Sequence, residues 1–155
     1  NNIIQETIAI MRYEPSVATV NIQLELTAQL PVLQLDKIQI GQVVLNLLRN
    51  AVEALLQKST ATNPQIIIKT SYRENEVYVD VIDNGPGCPA DLASKLFTPY
   101  FTTKKTGMGM GLAICRTIIE AHNGCLSIIP NPDSGAWFRF CLPTEKKPVR
   151  ITEQA

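Results

Sequence analysis

The chain has 155 residues, enough for one domain with a buried core. Apolar residues make up 45% and charged residues 18%, which excludes a disordered chain. The 14 basic residues balance 14 acidic ones, so no global charge draws the protein to nucleic acid or to an anionic membrane.

No apolar run reaches membrane-span length and no signal peptide is visible. The chain begins at Asn1 rather than Met, as a piece of a longer protein would. Cys88, Cys115, Cys125 and Cys141 show no CxxC spacing, and the only histidine, His122, has no ligand-spaced companion, so a zinc site is not expected. Cys115 falls in a helical pattern and Cys125 and Cys141 in strand-like ones, as core cysteines of a reducing, cytosolic compartment do.

In chain order, residues 3–13 read as a helix stopped by Pro15, and 21–28 alternate as a half-buried strand does. Asp36 is a plausible N-cap for a long helix from Lys37 to about Gln57. The stretch STATNP (59–64) is a loop. QIIIKTSY (65–72) and EVYVDVID (76–83) are β-branched runs forming a hairpin around Arg73-Glu74-Asn75. A turn at NGPGC precedes a short helix at 90–96, and 97–109 lack a period and read as a long loop. Leu112, Cys115, Ile118, Ile119 and His122 recur at helical spacing, with His122 packing or capping the helix end beside Asn123 and Gly124. CLSIIP (125–130) and AWFRFCLP (136–143) make the last pair of strands, and a polar tail, expected to be mobile, follows from Thr144. The pattern is α+β: a sandwich with about three helices on one face of a mostly antiparallel sheet. No repeat or second domain is evident. One domain over 1–143 and a tail over 144–155 are expected.

Three constellations carry chemistry. On the long helix, Gln42, Asn46, Arg49, Asn50 and Glu53 form one polar stripe, while Val43, Val44, Leu47, Leu48, Ala51 and Leu55 cover most other faces. Such a stripe ordinarily faces solvent. Two asparagines one turn apart in mid-helix weigh against that, because asparagine favours caps and turns. A helix this apolar also lies deep, which places its last face to floor a cleft.

Next, an apolar strand ends at Asp83, followed by Gly85-Pro86-Gly87. A plain turn accounts for the glycines. It does not account for a carboxylate at the end of an apolar strand, where an unpaired charge is costly, so Asp83 is expected to need a donor. Finally, KKTGMGMGL sets Gly107, Gly109 and Gly111 at alternate positions before a helix, where backbone N–H groups can face an anion. GxGxG alone is a weak signal: neither the Walker A spacing nor the dinucleotide fingerprint is present. Lys104 and Lys105 could reach phosphates, though such a pair is usually just solvated.

Taken in order, NLLRNAVEA, DNGPG, LFTPYFTTK, GMGMGLAI and GAWFRFCLP resemble the N, G1, F, G2 and last glycine boxes of sensor histidine kinase catalytic domains, in the GHKL ATPase superfamily. The resemblance covers nearly the whole chain. The F and G2 boxes are most similar to those of PAS-sensor kinases of the oxygen-sensing and nitrogen-regulatory kind.

That resemblance implies the two-layer Bergerat ATP-binding sandwich, with ATP and Mg²⁺ bound. It makes Asn50 the Mg²⁺ ligand and sets Asn46 where related ATPases carry a hydrolytic glutamate. Asp83 would accept from the adenine amino group, with Gly85 and Gly87 admitting base and hinge. Gly107, Gly109, Gly111 and Leu112 would wrap the phosphates under a moving lid, with Met108 and Met110 as apolar contacts at its base. Arg49 and Lys104 would touch phosphates, Lys104 joining Asn46 and Asn50 in the catalytic set. Glu53 either orients Asn50 or is an ordinary surface carboxylate. The γ-phosphoryl would go to a histidine on a separate dimerisation domain, for which nothing here matches, and then to a response-regulator receiver domain. The implied location is cytoplasmic, on a parent that can be membrane-anchored, with no direct membrane contact by this segment. Two alternatives stand beside this: a nucleotide-responsive interaction module without phosphotransfer, and a GHKL ATPase, which Asn46 in place of glutamate disfavours.

Overall fold

The computed structural model describes residues 1–58, 63–93, 95–100, 109–131 and 135–144. Helix α1 (Asn2–Met11) turns Ile4, Ile8 and Met11 inward. It stops ahead of Pro15, whose fixed φ opens a short 3₁₀ turn over Pro15–Val17. Strand β1 (Asn21–Glu25) leads through an extended segment to the long helix α2 (Lys37–Lys58). Asp36 caps α2 as expected: its Oδ1 accepts from the N–H groups of Ile38 (2.9 Å) and Gln39 (3.0 Å).

Strands β2 (Gln65–Arg73) and β3 (Glu76–Asp83) form the expected hairpin. Its turn residues Glu74 and Asn75 both take left-handed conformations, which matches the twist of the flanking strands. The helix expected over 90–96 is only α3 (Ala90–Ala93). Beyond Ser94, which lies outside the described residues, Leu96 and Phe97 instead pack on the core, Phe97 meeting Phe138 edge-on at 6.5 Å. Helix α4 (Gly111–Ala121) and strands β4 (Cys125–Ile128) and β5 (Trp137–Pro143) complete the fold. Residues 101–108 of the expected long loop and 145–155 of the expected tail lie outside the described residues.

The five strands run in the order β1-β2-β3-β5-β4, with β1 parallel to β2 and the other neighbours antiparallel. Helices cover one face, giving the expected two-layer sandwich. Val43, Val44, Leu47 and Leu48 of α2 are fully buried over Ile66, Ile68, Val81 and Phe140 of the sheet. β1 departs from the half-buried reading: only Ile22 is partly covered and Leu24 is exposed, because β1 is an edge strand beyond the helical layer. On the opposite face, Asp80 is buried under Trp137 and Arg139, which donate to it from Nε1 (2.6 Å) and Nε (2.7 Å).

His122 joins two helices. Its Nδ1 lies 2.8 Å from the Ile118 carbonyl, and the backbone N–H of Asp36 donates to its Nε2 (3.1 Å). A carbonyl can only accept and an amide N–H can only donate, so the ring is the neutral Nδ1–H tautomer. The C-terminus of α4 is thereby tied to the capping residue of α2. His122→Ala should lower stability by about 1–2 kcal/mol. In urea denaturation this is a reduced midpoint with an unchanged slope. An unchanged midpoint would mean that the tie contributes nothing in solution.

Candidate functional site

At the end of β3 the chain must bring a carboxylate out of a buried strand. Asp83 is 4% exposed. Its Oδ1 accepts from two backbone N–H groups, Gly85 at 2.9 Å and Ala136 at 3.1 Å, and its own N–H donates to the Ala136 carbonyl at 3.0 Å. Asp83 is expected to need a donor, and the chain itself supplies two. The donors come from its own turn and from the residue just before β5, more than fifty positions away. Both bonds fall on Oδ1. Burial raises its pKa above the ordinary carboxylate value, and the two N–H bonds offset part of that rise.

Glycine makes this clamp possible. A Cβ on Gly135 (φ +84°) would stand 1.8 Å from the Asp83 carbonyl oxygen, and one on Gly87 (φ +76°) 2.9 Å from that of Gly135. Three stretches of backbone touch, and no side chain fits between them. Asn84 fixes the same turn to β2: its Oδ1 accepts from the Gln65 N–H (2.8 Å) and its Nδ2 donates to the Asn63 carbonyl (2.9 Å). Neither Asn84 nor Gly135 stands among the expected site residues. Gly135 opens GAWFRFCLP, so its place before a strand was visible, but not what it approaches.

The α2 stripe divides. Gln42, Arg49 and Glu53 are exposed, whereas Asn46 and Asn50 are half-buried. The solvent reading holds for the outer edge and fails for the two asparagines. Arg49 forms an ion pair with Glu14 (2.6 Å). The Asn46 side chain lies against the buried Cys115 thiol of α4, which donates to the Val43 carbonyl (3.9 Å) and whose pKa is pushed up to about 11 by burial. One turn past Asn50, the Gly85 turn rests on Ala54 and Leu55. Asn50 thus stands one turn from the contact with α4 and one turn from the contact with the Asp83 turn.

Gly111 opens α4 after Met110; among the described residues no side chain caps the helix, and nothing lies within 4 Å of where a Cβ at Gly111 would stand. Gly109 is left-handed (φ 66°), and Leu112 packs on the core. Among the described residues nothing covers this backbone N-terminus, so their packing does not demand a glycine there. Lys104, Lys105, Gly107 and Met108 lie outside the described residues. Among the described residues no group of three or more His, Cys, Asp or Glu could share a metal ion. No helix among them is long and apolar enough to cross a membrane.

Residues 35–146 match the family described as histidine kinase-, DNA gyrase B- and HSP90-like ATPases. The sensor protein TdiS of Thauera aromatica is 36% identical over 146 residues, covering 92% of this chain and 26% of TdiS. The signal transduction histidine-protein kinase AtoS of Escherichia coli (strain K12) is 35% identical over 144 residues, covering 92% of this chain and 23% of AtoS. The chain therefore spans about a quarter of the length of these curated relatives. The nucleotide-free catalytic domain of histidine kinase ThkA superposes with a TM-score of 0.80 at 33% identity, covering 93% of this chain and 91% of that one. ThkA has also been solved in complex with the response regulator protein TrrA, and that structure matches with a TM-score of 0.76 at 31% identity, covering 94% of this chain and 40% of that one.

Two substitutions test the clamp. Because the pKa of Asp83 is raised in the fold, its carboxyl contributes most to stability below the unfolded value and loses that contribution as pH climbs through the folded one. Asp83→Asn keeps an acceptor toward both N–H groups and drops the charge. It should be the more stable form at neutral pH, with the gap closing as pH falls below the carboxylate range. A parent more stable than Asp83→Asn at neutral pH in urea denaturation would contradict the placement. Gly135→Ala should cost at least about 3 kcal/mol, since its Cβ would collide with backbone at positive φ.

Proposed function

Because this chain belongs to the histidine kinase-, DNA gyrase B- and HSP90-like ATPases, as the catalytic domain of a sensor histidine kinase, we propose that it binds ATP with Mg²⁺ and donates the γ-phosphoryl to a histidine on another domain of its parent. The domain would occupy residues 1–143. The observation that carries this reading is the Asp83 clamp, which occupies one carboxylate oxygen from within and leaves the other for a donor on a ligand. An adenine amino group is such a donor. Gly85 and Gly87 keep side chains away from the plane of the base.

The phosphates would lie at the start of α4, where the N–H groups of Gly109 through Leu112 and the helix dipole favour negative charge. The space that the described residues leave at Gly111 fits a phosphate approaching the backbone closely. Met110 would supply an apolar contact beside them, and Lys104, Gly107 and Met108 belong to the same proposed loop. Asn50, between the two contacts that α2 makes with the site's other walls, would hold Mg²⁺ through its amide oxygen. When bound, the metal would supply charge neutralisation at the transferring phosphoryl group. Asn46 would position α2 against α4 through the Cys115 thiol and would not act as a hydrolytic base. Arg49 would exchange Glu14 for a phosphate at small cost, because an exposed ion pair contributes no more than about 1 kcal/mol. Catalysis would then consist of orientation and charge stabilisation.

His122, the chain's only histidine, has both ring nitrogens engaged, which supports an acceptor histidine supplied by the parent's dimerisation domain. A response-regulator receiver domain would take the phosphoryl group next, in the cytoplasm. Radiolabelled Mg·ATP should leave the chain alone unlabelled and should label an added histidine-bearing domain as an acid-labile phosphate. Labelling of the chain alone, lost in His122→Gln, would overturn the assignment.

The clamp also predicts base selectivity. With Oδ1 fixed as the acceptor, Asp83→Asn must present its NH₂ group to the ligand, donor against donor. ATP affinity should fall by about 1–3 kcal/mol, while a 6-oxopurine triphosphate should gain relative to ATP. Calorimetric titration with ATP and ITP reads both, and unchanged ATP affinity would remove Asp83 from the site. Asn50→Ala should abolish the enhancement of ATP binding by Mg²⁺ and spare the binding of adenosine.

A further inference from the structure

Cys125 and Cys141 are cross-strand partners on β4 and β5. Their neighbours Leu126 and Phe140 are buried in the core, so by alternation both cysteines lie on the sheet face turned away from the helices. Both are free thiols; Cys125 is exposed and Cys141 is buried beside it. The Ile129 N–H donates to the Trp137 carbonyl at 2.7 Å, and hydrogen-bonded pairs alternate along an antiparallel ladder. Counting back four residues makes Cys125 and Cys141 a hydrogen-bonded pair as well. Such pairs have Cα atoms about 5.5 Å apart, within the range of about 4.4–6.8 Å that a disulfide spans. β4 is an edge strand, held on one side only, and can take up the small adjustment that closure requires.

We propose that Cys125 and Cys141 are a redox modification site, a dithiol that closes to a cross-strand disulfide under peroxide. The exposed Cys125 thiolate attacks a peroxide oxygen, the O–O bond breaks, and hydrogen peroxide is reduced to one water as Cys125 becomes a sulfenic acid. The Cys141 sulfur then attacks the sulfenic sulfur, the S–O bond breaks, and a second water leaves with the thiol proton. Two thiols lose two electrons and two protons in all, and the peroxide accepts them. Cys125 is the attacking residue because Cys141 has its thiol form favoured by burial and by the Glu76 carboxylate.

The consequence lies in the segment that the bond encloses. The chain from Cys125 to Cys141 contains Gly135 and Ala136, the backbone that clamps Asp83. Closing this hairpin removes open states of the chain that carries the clamp. The dithiol chemistry is independent of what the Asp83 end of the sheet binds.

The test treats the 155-residue chain with hydrogen peroxide, maps its tryptic peptides, and follows amide exchange. The expected product is a monomer in which peptide 117–139 is linked to peptide 140–146, formed equally in Cys88→Ser and absent in Cys125→Ser. Cys141→Ala should stop at the sulfenic acid of Cys125. In the oxidised parent, exchange at Ala136 should slow about tenfold or more, and dithiothreitol should reverse it. A disulfide through Cys88 or between chains, or over-oxidation of Cys125 without cross-linking, overturns the site. A disulfide that leaves Ala136 exchange unchanged overturns the staple.

Discussion

One carboxylate oxygen organises the functional end of this domain. Asp83 Oδ1 gathers the N–H of its own turn and the N–H of Ala136, and so joins β3 to the approach of β5 beyond the last ladder pair. The arrangement exists only because Gly135 and Gly87 let backbone lie against backbone. The turn they shape rests on α2 at Ala54 and Leu55, one helical turn from Asn50. Position therefore passes from the carboxylate through the turn to the helix, and from the helix through Asn46 and Cys115 to α4. Each link is a buried contact of a few atoms, so displacement at any of them is felt at the others.

Much of this was legible in the sequence, for reasons that are local. The capping of α2 by Asp36, the 65–83 hairpin with its polar turn and the apolar periodicity of α2 and α4 all depend on residues within a few positions of one another. Partners brought together by the fold were not legible. His122 reads as a helix end, yet nothing in EAHNG reveals that the Asp36 N–H reaches its Nε2. Arg49 reads as one member of the polar stripe, and nothing near it in sequence reveals that Glu14 is its partner. β1 alternates correctly, but alternation cannot reveal that the helical layer stops short of the sheet edge.

The polar stripe of α2 shows why pattern alone leaves function open. Residues at helical spacing share a side, but that side is wide enough to face solvent at one edge and to be covered at the other. Gln42, Arg49 and Glu53 stand outward, and Asn46 and Asn50 turn toward the covered edge. An amide suits that edge: it satisfies a buried neighbour and offers a hard oxygen without the desolvation cost of a charge. This separates the two asparagines from the charged residues that share their stripe.

The strand β3 contains its own control. Asp80 and Asp83 are equally buried, each 4% exposed, but on opposite faces of the sheet. Asp80 is met by the Arg139 guanidinium through both carboxylate oxygens, at 2.7 and 3.1 Å, and by the Trp137 indole at 2.6 Å. Its charge is matched by a cation, and both oxygens are engaged by side chains that also cover it. Among the described residues Asp83 is met by no cation, only by two amide N–H groups on one oxygen, and its pKa is raised. A carboxylate that serves packing is best enclosed as Asp80 is, because a buried charge without a counter-charge costs stability. The domain holds Asp83 the other way, fixed in orientation by neutral donors and left short of full compensation. That is the condition under which a donor on a ligand contributes most. Burial alone does not distinguish the two residues; the identity of their partners does.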